Sequence, residues 1–315
     1  MNKTEKVFVA GHNGMVGSAI VRLLRKRGFE NLILCSRREL DLRDSSAVRE
    51  FFEAQKPEIV ILAAARVGGI HANLSYPAEF LYDNLAIQNN VIHQSFLTKV
   101  KKFCFLGTSC VYPRECSQPM REEYLLTGLL EPTNEGYALA KIAGLKMVEY
   151  YRRQYGFHGI SAMPCNLYGT NDSFDPLHSH VLAALIKKFV DAVDNGINNV
   201  TIWGTGSSKR EFMHVDDAVE AILLLMDNYN EPEFINVGWG TDISIRNLAE
   251  LIARMTGYKG SVNWDTAKPD GMPRKCLDVS RLNALGYIPK ISLEDGIKKT
   301  IEEYRAIISS RKFTH

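Results

Sequence analysis

The sequence predicts an α/β fold: a doubly wound parallel sheet with a smaller, interleaved C-terminal α/β lobe. Three observations predict it. Short β-rich runs alternate with longer helical patterns through the first half, a spacing that demands a parallel sheet covered on both faces. A glycine-rich turn links the first strand to the first helix. After the fifth strand the alternation loosens into turn-rich segments, which places a second lobe there.

The elements follow in order. Lys6–Ala10 reads as a strand and Met15–Arg27 as a helix. Asn31–Ser36 is a strand, Ser45–Gln55 a helix, Glu58–Ala64 a strand and Pro77–Thr98 a long helix. Lys102–Thr108 is a strand, Glu135–Tyr155 a helix and Ile160–Cys165 a strand. The stretch Tyr168–His180, rich in Gly, Asn, Asp, Pro and His, reads as loop. A helix at Val181–Val193, a strand at Val200–Trp203, a Gly/Ser turn and a helix at Asp216–Asn228 come next. Further helices are expected near Ile245–Thr256 and Leu293–Ser309. Residues 1–172 are assigned to a cofactor-binding lobe and residues 173–315 mainly to a substrate lobe interleaved with it.

Bulk properties narrow the function classes. The chain has 315 residues, 45% hydrophobic and 23% charged, enough for a large buried core. A net charge of +2 gives no general electrostatic case for nucleic acid or a membrane surface. No apolar run approaches the ~20 residues that span a bilayer, and the N-terminus reads as a first strand, not a signal peptide. Cys35, Cys104, Cys110, Cys116, Cys165 and Cys276 form no C-x-x-C pair and no zinc-ligand spacing, so no metal is expected. Scattered thiols of this kind suit a reducing cytoplasm.

The turn after the first strand reads Gly11-His12-Asn13-Gly14-Met15-Val16-Gly17. Gly11 can make the tight exit from the strand, Gly14 can let a phosphate approach the backbone, and Gly17 can let the helix pack close to the sheet. The helix N-terminus then offers unpaired N–H groups to an anion. In its strand–turn–helix setting this is the dinucleotide loop of a Rossmann-type fold. The next strand ends in Cys35-Ser36-Arg37-Arg38, without the acid that would hold the ribose hydroxyls of NAD. Arg37 can instead pair with a 2′-phosphate, so NADP(H) is the expected cofactor. Asp41 and Leu42 suit the adenine, and Ala64, within Ala63–Gly69, suits the pyrophosphate and ribose.

Tyr137 and Lys141 lie four apart in a helical pattern and share a face. A phenol has a reference pKa of ~10, and a neighbouring ammonium is expected to lower it. Such a pair can move a proton to or from a carbinol oxygen. Leu106, Gly107, Thr108, Ser109 and Cys110 end the fourth strand, where open parallel sheets place their ligands. Thr108 is the expected hydroxyl partner, with Ser109 the alternative. Asn166 and Leu167 follow the fifth strand and are expected beside the nicotinamide or the sugar, and Pro164, near the end of that strand, is expected to touch the cofactor.

At this point the match goes beyond a superfamily. The G-x-x-G-x-x-G spacing resembles the extended short-chain dehydrogenases/reductases. The segments GHNGMVGSAI, LAAARVGGIHAN, YPAEFLYDN, FLGTSCVYP, LEPTNEGYALAKIAG, NLYG, HVDD, INVG and KPDGMPRK together resemble the GDP-L-fucose synthase family over nearly the whole chain. The resemblance implies NADPH-dependent conversion of GDP-4-keto-6-deoxy-D-mannose to GDP-L-fucose, by C3/C5 epimerisation and then C4 reduction. It implies Cys110 as base and His180 as acid of the epimerisation; His178 sits beside the latter. His180 is also expected to touch the cofactor. By the same resemblance Lys188, Trp203, Arg210, Asp270 and Lys275 bind the GDP-sugar, and the enzyme is a homodimer. Two positions depart from the family. Thr108 stands where serine is usual, which keeps the hydroxyl. Asn13 stands where arginine is frequent, which removes one contact to a 2′-phosphate. The alternatives are a relative acting on another GDP-4-keto sugar, of colitose or 6-deoxy-heptose type, and an NADP-sensing protein without catalysis. Retention of Tyr137 and Lys141 speaks against the sensor, and Ser109-Cys110 in place of an Asp-Glu pair speaks against a 4,6-dehydratase.

Overall fold

The computed structural model describes residues 1–175, 179–268 and 270–312. Its first half contains β1 (Val7–Ala10), α1 (Met15–Lys26), β2 (Leu32–Ile33), α2 (Ser45–Gln55), β3 (Ile59–Leu62), α3 (Ile70–Ser75), α4 (Pro77–Leu97), β4 (Lys102–Leu106), α5 (Glu135–Tyr155) and β5 (Gly159–Pro164). The second half contains β6 (Asn166–Tyr168), α6 (Val181–Asp194), β7 (Asn199–Trp203), β8 (Lys209–His214), α7 (Val215–Asn228), β9 (Ile235–Val237), β10 (Asp242–Ser244), α8 (Ile245–Thr256), β11 (Ser261–Asp265), β12 (Arg274–Lys275), α9 (Ser280–Ala284) and α10 (Leu293–Lys312).

The main sheet runs β2-β1-β3-β4-β5-β9 with every neighbouring pair parallel. Its central strands, VFVA and IVIL, are buried at every position, because helices cover both faces and leave no side for polar residues. The strand order turns back on itself between β1 and β3. Such a switch point opens a crevice at the carboxyl ends of the strands, where doubly wound sheets bind ligands. Local signals fix the helices that frame it. Asp44 caps α2 by accepting from the Ser46 and Ala47 amides at 2.9 and 3.1 Å. Gly156 ends α5 in the left-handed conformation, at φ 69°.

The second lobe holds a sheet β10-β8-β12, with β6 pairing the far end of β8, and a parallel pair β7–β11. Its own core gathers Leu182, Ile186, Phe189, Leu248, Ile252, Ile297 and Ile301. The lobes share the chain unevenly. After β8 the chain returns to the first lobe, where the buried face of α7 and the whole of β9 join the core of the main sheet.

Three element readings need correction. The second strand shrinks from Asn31–Ser36 to Leu32–Ile33, because β2 is the sheet edge and is only half-buried. The Gly/Ser turn after β7 leads into a strand, β8, whose sequence KREFMH lacks the alternation of a half-buried strand since its last four residues are all buried. The short helix α3 stands between the third strand and the long helix, where no element was expected, and its six residues are too few to carry a period.

Candidate active site

The glycine turn is built as its spacing demands. Gly11 sits at φ 87°, and a Cβ there would meet the Ala64 backbone nitrogen at 2.6 Å. A Cβ on Gly17 would fall on the Gly11 carbonyl, so α1 can lie against the turn only with glycine at that position. Gly14 differs: its side is open except for the Gly11 carbonyl at 3.5 Å, and it faces the crevice. Gly14 is also the N-cap of α1, with no side-chain cap and no acid in the first turn. The first amides of α1 are therefore free to meet an anion.

The crevice is a cleft of about 560 Å³ running from the end of β2 to the end of β5. Every residue expected to hold the cofactor lines it, from Gly11 to Gly17, through Arg37, Asp41, Leu42 and Ala64, to Leu106–Ser109, Tyr137, Lys141, Pro164, Asn166, Leu167 and His180. At the β2 end the acids are already engaged. Glu39 accepts from the Ser36 amide at 2.7 Å. Asp41 takes a bidentate grip from Arg43, at 2.7 and 3.0 Å, which holds its carboxyl down at about 2. Arg43 reaches on to Asp83 at 3.1 Å. Arg37 stays largely exposed, with Asp41 3.9 Å away. Asp41 thus offers the cleft a carboxylate already satisfied by Arg43, a partner the sequence reading passed over because arginine two residues on looks like a surface charge.

The far end of the cleft holds the reacting groups. The Lys141 ammonium is buried, donates to the Leu106 carbonyl at 2.9 Å and lies 5.9 Å from the centre of the Tyr137 ring. Burial pulls its pKa down to about 8. Tyr137 departs from expectation. Its phenol is pushed up, first by burial and then by the nearby Cys110 sulfur, and only the Thr108 hydroxyl pulls the other way. The reason is geometric: Lys141 spends its charge on β4, so its field does not repay the cost of burying a phenolate. Of the two candidate hydroxyls, Thr108 is the one that meets Tyr137; it also accepts from the Cys110 amide at 3.4 Å.

Cys110 behaves in the opposite way. Burial raises its pKa, but the Lys275 ammonium at 3.1 Å, the Thr108 hydroxyl and the more distant Arg210 outweigh it, so the thiol is held below its ordinary value. Lys275, expected to bind the GDP-sugar, donates to this sulfur, because β12 pairs with β8 and brings Lys275 beside Arg210. His180 caps α6 and opens its ring to the cleft, yet enough protein surrounds it that burial, followed by the charge of Lys275, lowers its pKa. His178 lies outside the described residues. Asn134, one turn before Tyr137 at the start of α5, also lines the cleft, and its amide oxygen is buried without a partner. Sequence reading missed it; its place at a helix N-cap masked it as a structural cap.

The remaining substrate candidates lie beyond the cleft. The Lys188 ammonium reaches the Thr201 carbonyl at 2.7 Å. Trp203 is 61% exposed, with the Lys268 ammonium 5.4 Å above its ring. The Asp270 carboxylate binds the Thr205 amide and hydroxyl at 2.8 and 2.7 Å, and its carbonyl accepts from Arg210 at 3.2 Å. Arg210 and Asp270 are thus joined, whereas Trp203 presents an open aromatic face.

Comparison with known proteins places this geometry. The model of the NAD dependent epimerase/dehydratase family matches residues 7–238. The chain is 53% identical to GDP-L-fucose synthase 1 of Arabidopsis thaliana, over 98% of this chain and 96% of that one. It is 50% identical to the GDP-L-fucose synthase of Escherichia coli, over 95% and 96%. Among solved structures, a GDP-mannoheptose C4 reductase from Campylobacter jejuni with NADP bound superposes with a TM-score of 0.89 at 40% identity, over 97% of this chain and 99% of that one.

Proposed function

The chain belongs to the NAD dependent epimerase/dehydratase family, and we propose that it converts GDP-4-keto-6-deoxy-D-mannose to GDP-L-fucose, as an NADPH-dependent 3,5-epimerase and 4-reductase. One observation carries this reading. A single cleft holds two separate sets of proton-transfer groups: Tyr137 with Lys141 and Thr108, and Cys110 with His180. A simple reductase needs only the first.

The residues fit the cofactor. The open side of Gly14 and the uncapped, acid-free start of α1 accept a diphosphate. At the β2 end Arg37 is available to a 2′-phosphate, while Glu39 and Asp41 are tied to Ser36 and Arg43. When bound, NADPH supplies the hydride for C4.

The 4-keto group acidifies the protons on C3 and C5. The Cys110 thiolate removes one, and the electron pair moves onto the C4 oxygen as an enolate. His180 delivers a proton to the opposite face of that carbon. Cys110 and His180 then return to their starting forms by exchange with solvent, and the second centre inverts in the same way. In the reduction, Tyr137 gives its proton to the C4 oxygen, and the buried Lys141 charge and the Thr108 hydroxyl stabilise the phenolate left behind. Trp203 offers a face for the guanine, and Arg210 and Lys188 offer charge for the diphosphate.

A heptose or colitose substrate is the second reading, supported by the 40% identity to a heptose reductase. The chain also reads as cytoplasmic, since its six cysteines are free. No helix among the described residues is long and apolar enough to cross a membrane. Exposed apolar residues on the packed helices α4 and α5, among them Tyr82 and Leu139, support a homodimer through that face. The test is incubation with GDP-4-keto-6-deoxymannose and NADPH, following absorbance at 340 nm and identifying the product by NMR. GDP-L-fucose is expected. Oxidation of NADPH only with another GDP-keto-sugar would replace the substrate, and none with any keto-sugar would remove the enzyme.

A further inference from the structure

Among the described residues, the charged groups that bear on Cys110 are cations. Lys275 of β12 donates to its sulfur at 3.1 Å, and Arg210, the register partner of Lys275 on β8, lies behind. Tyr137 of α5 lies close enough to the sulfur to feel its charge, and His180 lies within the field of the same lysine. Lys275 is 9% exposed and makes no ion pair with an acid among the described residues. The two acids near Arg210 are occupied elsewhere, Asp270 by Thr205 and Glu131 by Thr133 and Arg114. A buried ammonium needs a compensating anion. Among the described residues, the group hydrogen-bonded to Lys275 that can supply it is the Cys110 sulfur.

We infer that Lys275 is a positioning residue for the epimerisation: its ammonium pairs with Cys110 as a thiolate and readies that sulfur to remove the sugar protons. The base assignment of Cys110 comes from the proposed function, on which this inference rests. The pairing has a second consequence, because one charge acts on two groups with the same sign. It favours thiolate over thiol at Cys110 and neutral imidazole over imidazolium at His180, so it lowers both titrations. Proton abstraction itself is balanced. The sulfur gains the proton of C3 or C5, the carbon–hydrogen electron pair becomes the enolate, and the lysine keeps its three protons throughout.

The experiment measures alkylation of Cys110 by iodoacetamide against pH, read by mass spectrometry on its own peptide, in wild type, Lys275→Met and Lys275→Arg. Solvent deuterium uptake at C3 and C5 of GDP-4-keto-6-deoxymannose is followed over the same range. An opposite charge at this separation is worth about one to three pH units on a titration. Lys275→Met is therefore expected to move the alkylation midpoint up by about a unit or more, to cut uptake at pH 7 about tenfold or more, and to regain uptake at alkaline pH. Both limbs of the uptake profile move to higher pH, and Lys275→Arg restores much of the loss. An unchanged alkylation midpoint in Lys275→Met, in protein that still binds NADPH, overturns the inference. So does a rise in KM for the GDP-sugar with the midpoint in place, which would make Lys275 a phosphate ligand. Wild-type uptake by Cys110→Ser would instead sink the base assignment, while the alkylation profile still decides whether the ion pair exists.

Discussion

Two acid–ammonium pairs occupy the two walls of one cleft, and their acids are shifted in opposite directions. On the wall made by α5 and β4, Lys141 gives its charge to the Leu106 carbonyl, and the Tyr137 phenol stays protonated. On the wall made by β8 and β12, Lys275 gives its charge to the Cys110 sulfur, and the thiol is held below its ordinary value. In both pairs the ammonium is buried and its partner half-buried, so desolvation does not separate them. The difference is where the ammonium spends its hydrogen bonds. The comparison matches the two jobs in the proposed reaction. A group that must donate a proton at the reduction should rest protonated, and a group that must take one at the epimerisation should rest deprotonated.

The comparison breaks most visibly at the phenol. Tyr137→Phe removes the donor from the reducing wall only. Its reduction rate, read as NADPH oxidation in single turnovers, is expected to fall about a thousandfold, within the range general acids supply. Deuterium uptake at C3 and C5 and NADPH binding should persist. Loss of cofactor binding with the rate would mean that the ring is structural. The same wall has a pH signature. Lys141 is charged below about 8 and neutral above it, so reduction by the wild type should fall as pH rises through that value. A flat rate up to pH 9 would show that its charge is not needed. The opposite wall is tested by Cys110→Ser, whose hydroxyl cannot ionise near neutrality. Uptake should drop about a hundredfold, and reduction of an already epimerised keto-sugar should be spared. Unchanged uptake would remove Cys110 from the mechanism.

How far each wall could be read beforehand follows from the distance over which it is assembled. Tyr137 and Lys141 are four residues apart on one helix, and the glycine turn is seven consecutive residues, so local spacing displays both. Gly11 and Gly17 were legible because backbone sits where a Cβ would go, a demand only glycine meets. The Lys275–Cys110 pair spans 165 residues, and only the pairing of β12 with β8 brings it together. No periodicity carries that information, and β12 is two residues long. The same limit explains β8 and β9. Their buried runs carry no alternation, and they enter two different sheets. Direction of shift was also hidden. Tyr-x-x-x-Lys states that a phenol and an ammonium are neighbours, but not that the ammonium is committed to β4.

Thr108 is where the two walls meet, and it provides the smallest and sharpest test. Its hydroxyl accepts from the Cys110 amide and lies within hydrogen-bonding reach of both the Cys110 sulfur and the Tyr137 oxygen, lowering the titration of each. A hydroxyl has a single proton to donate, so it can serve the thiolate or the phenolate, but not both at once. During epimerisation the sulfur is the anion and takes it; during reduction the phenolate does. Thr108→Val keeps the shape and removes the proton, and a hydrogen bond to a charged group contributes about 1.5–3 kcal/mol. Each stage should therefore slow by about tenfold to a hundredfold, and the Cys110 alkylation midpoint should rise, while Thr108→Ser stays within a factor of about three of wild type. A valine variant that slows only the reduction would show that the hydroxyl belongs to the tyrosine alone. The two walls would then work without a shared proton.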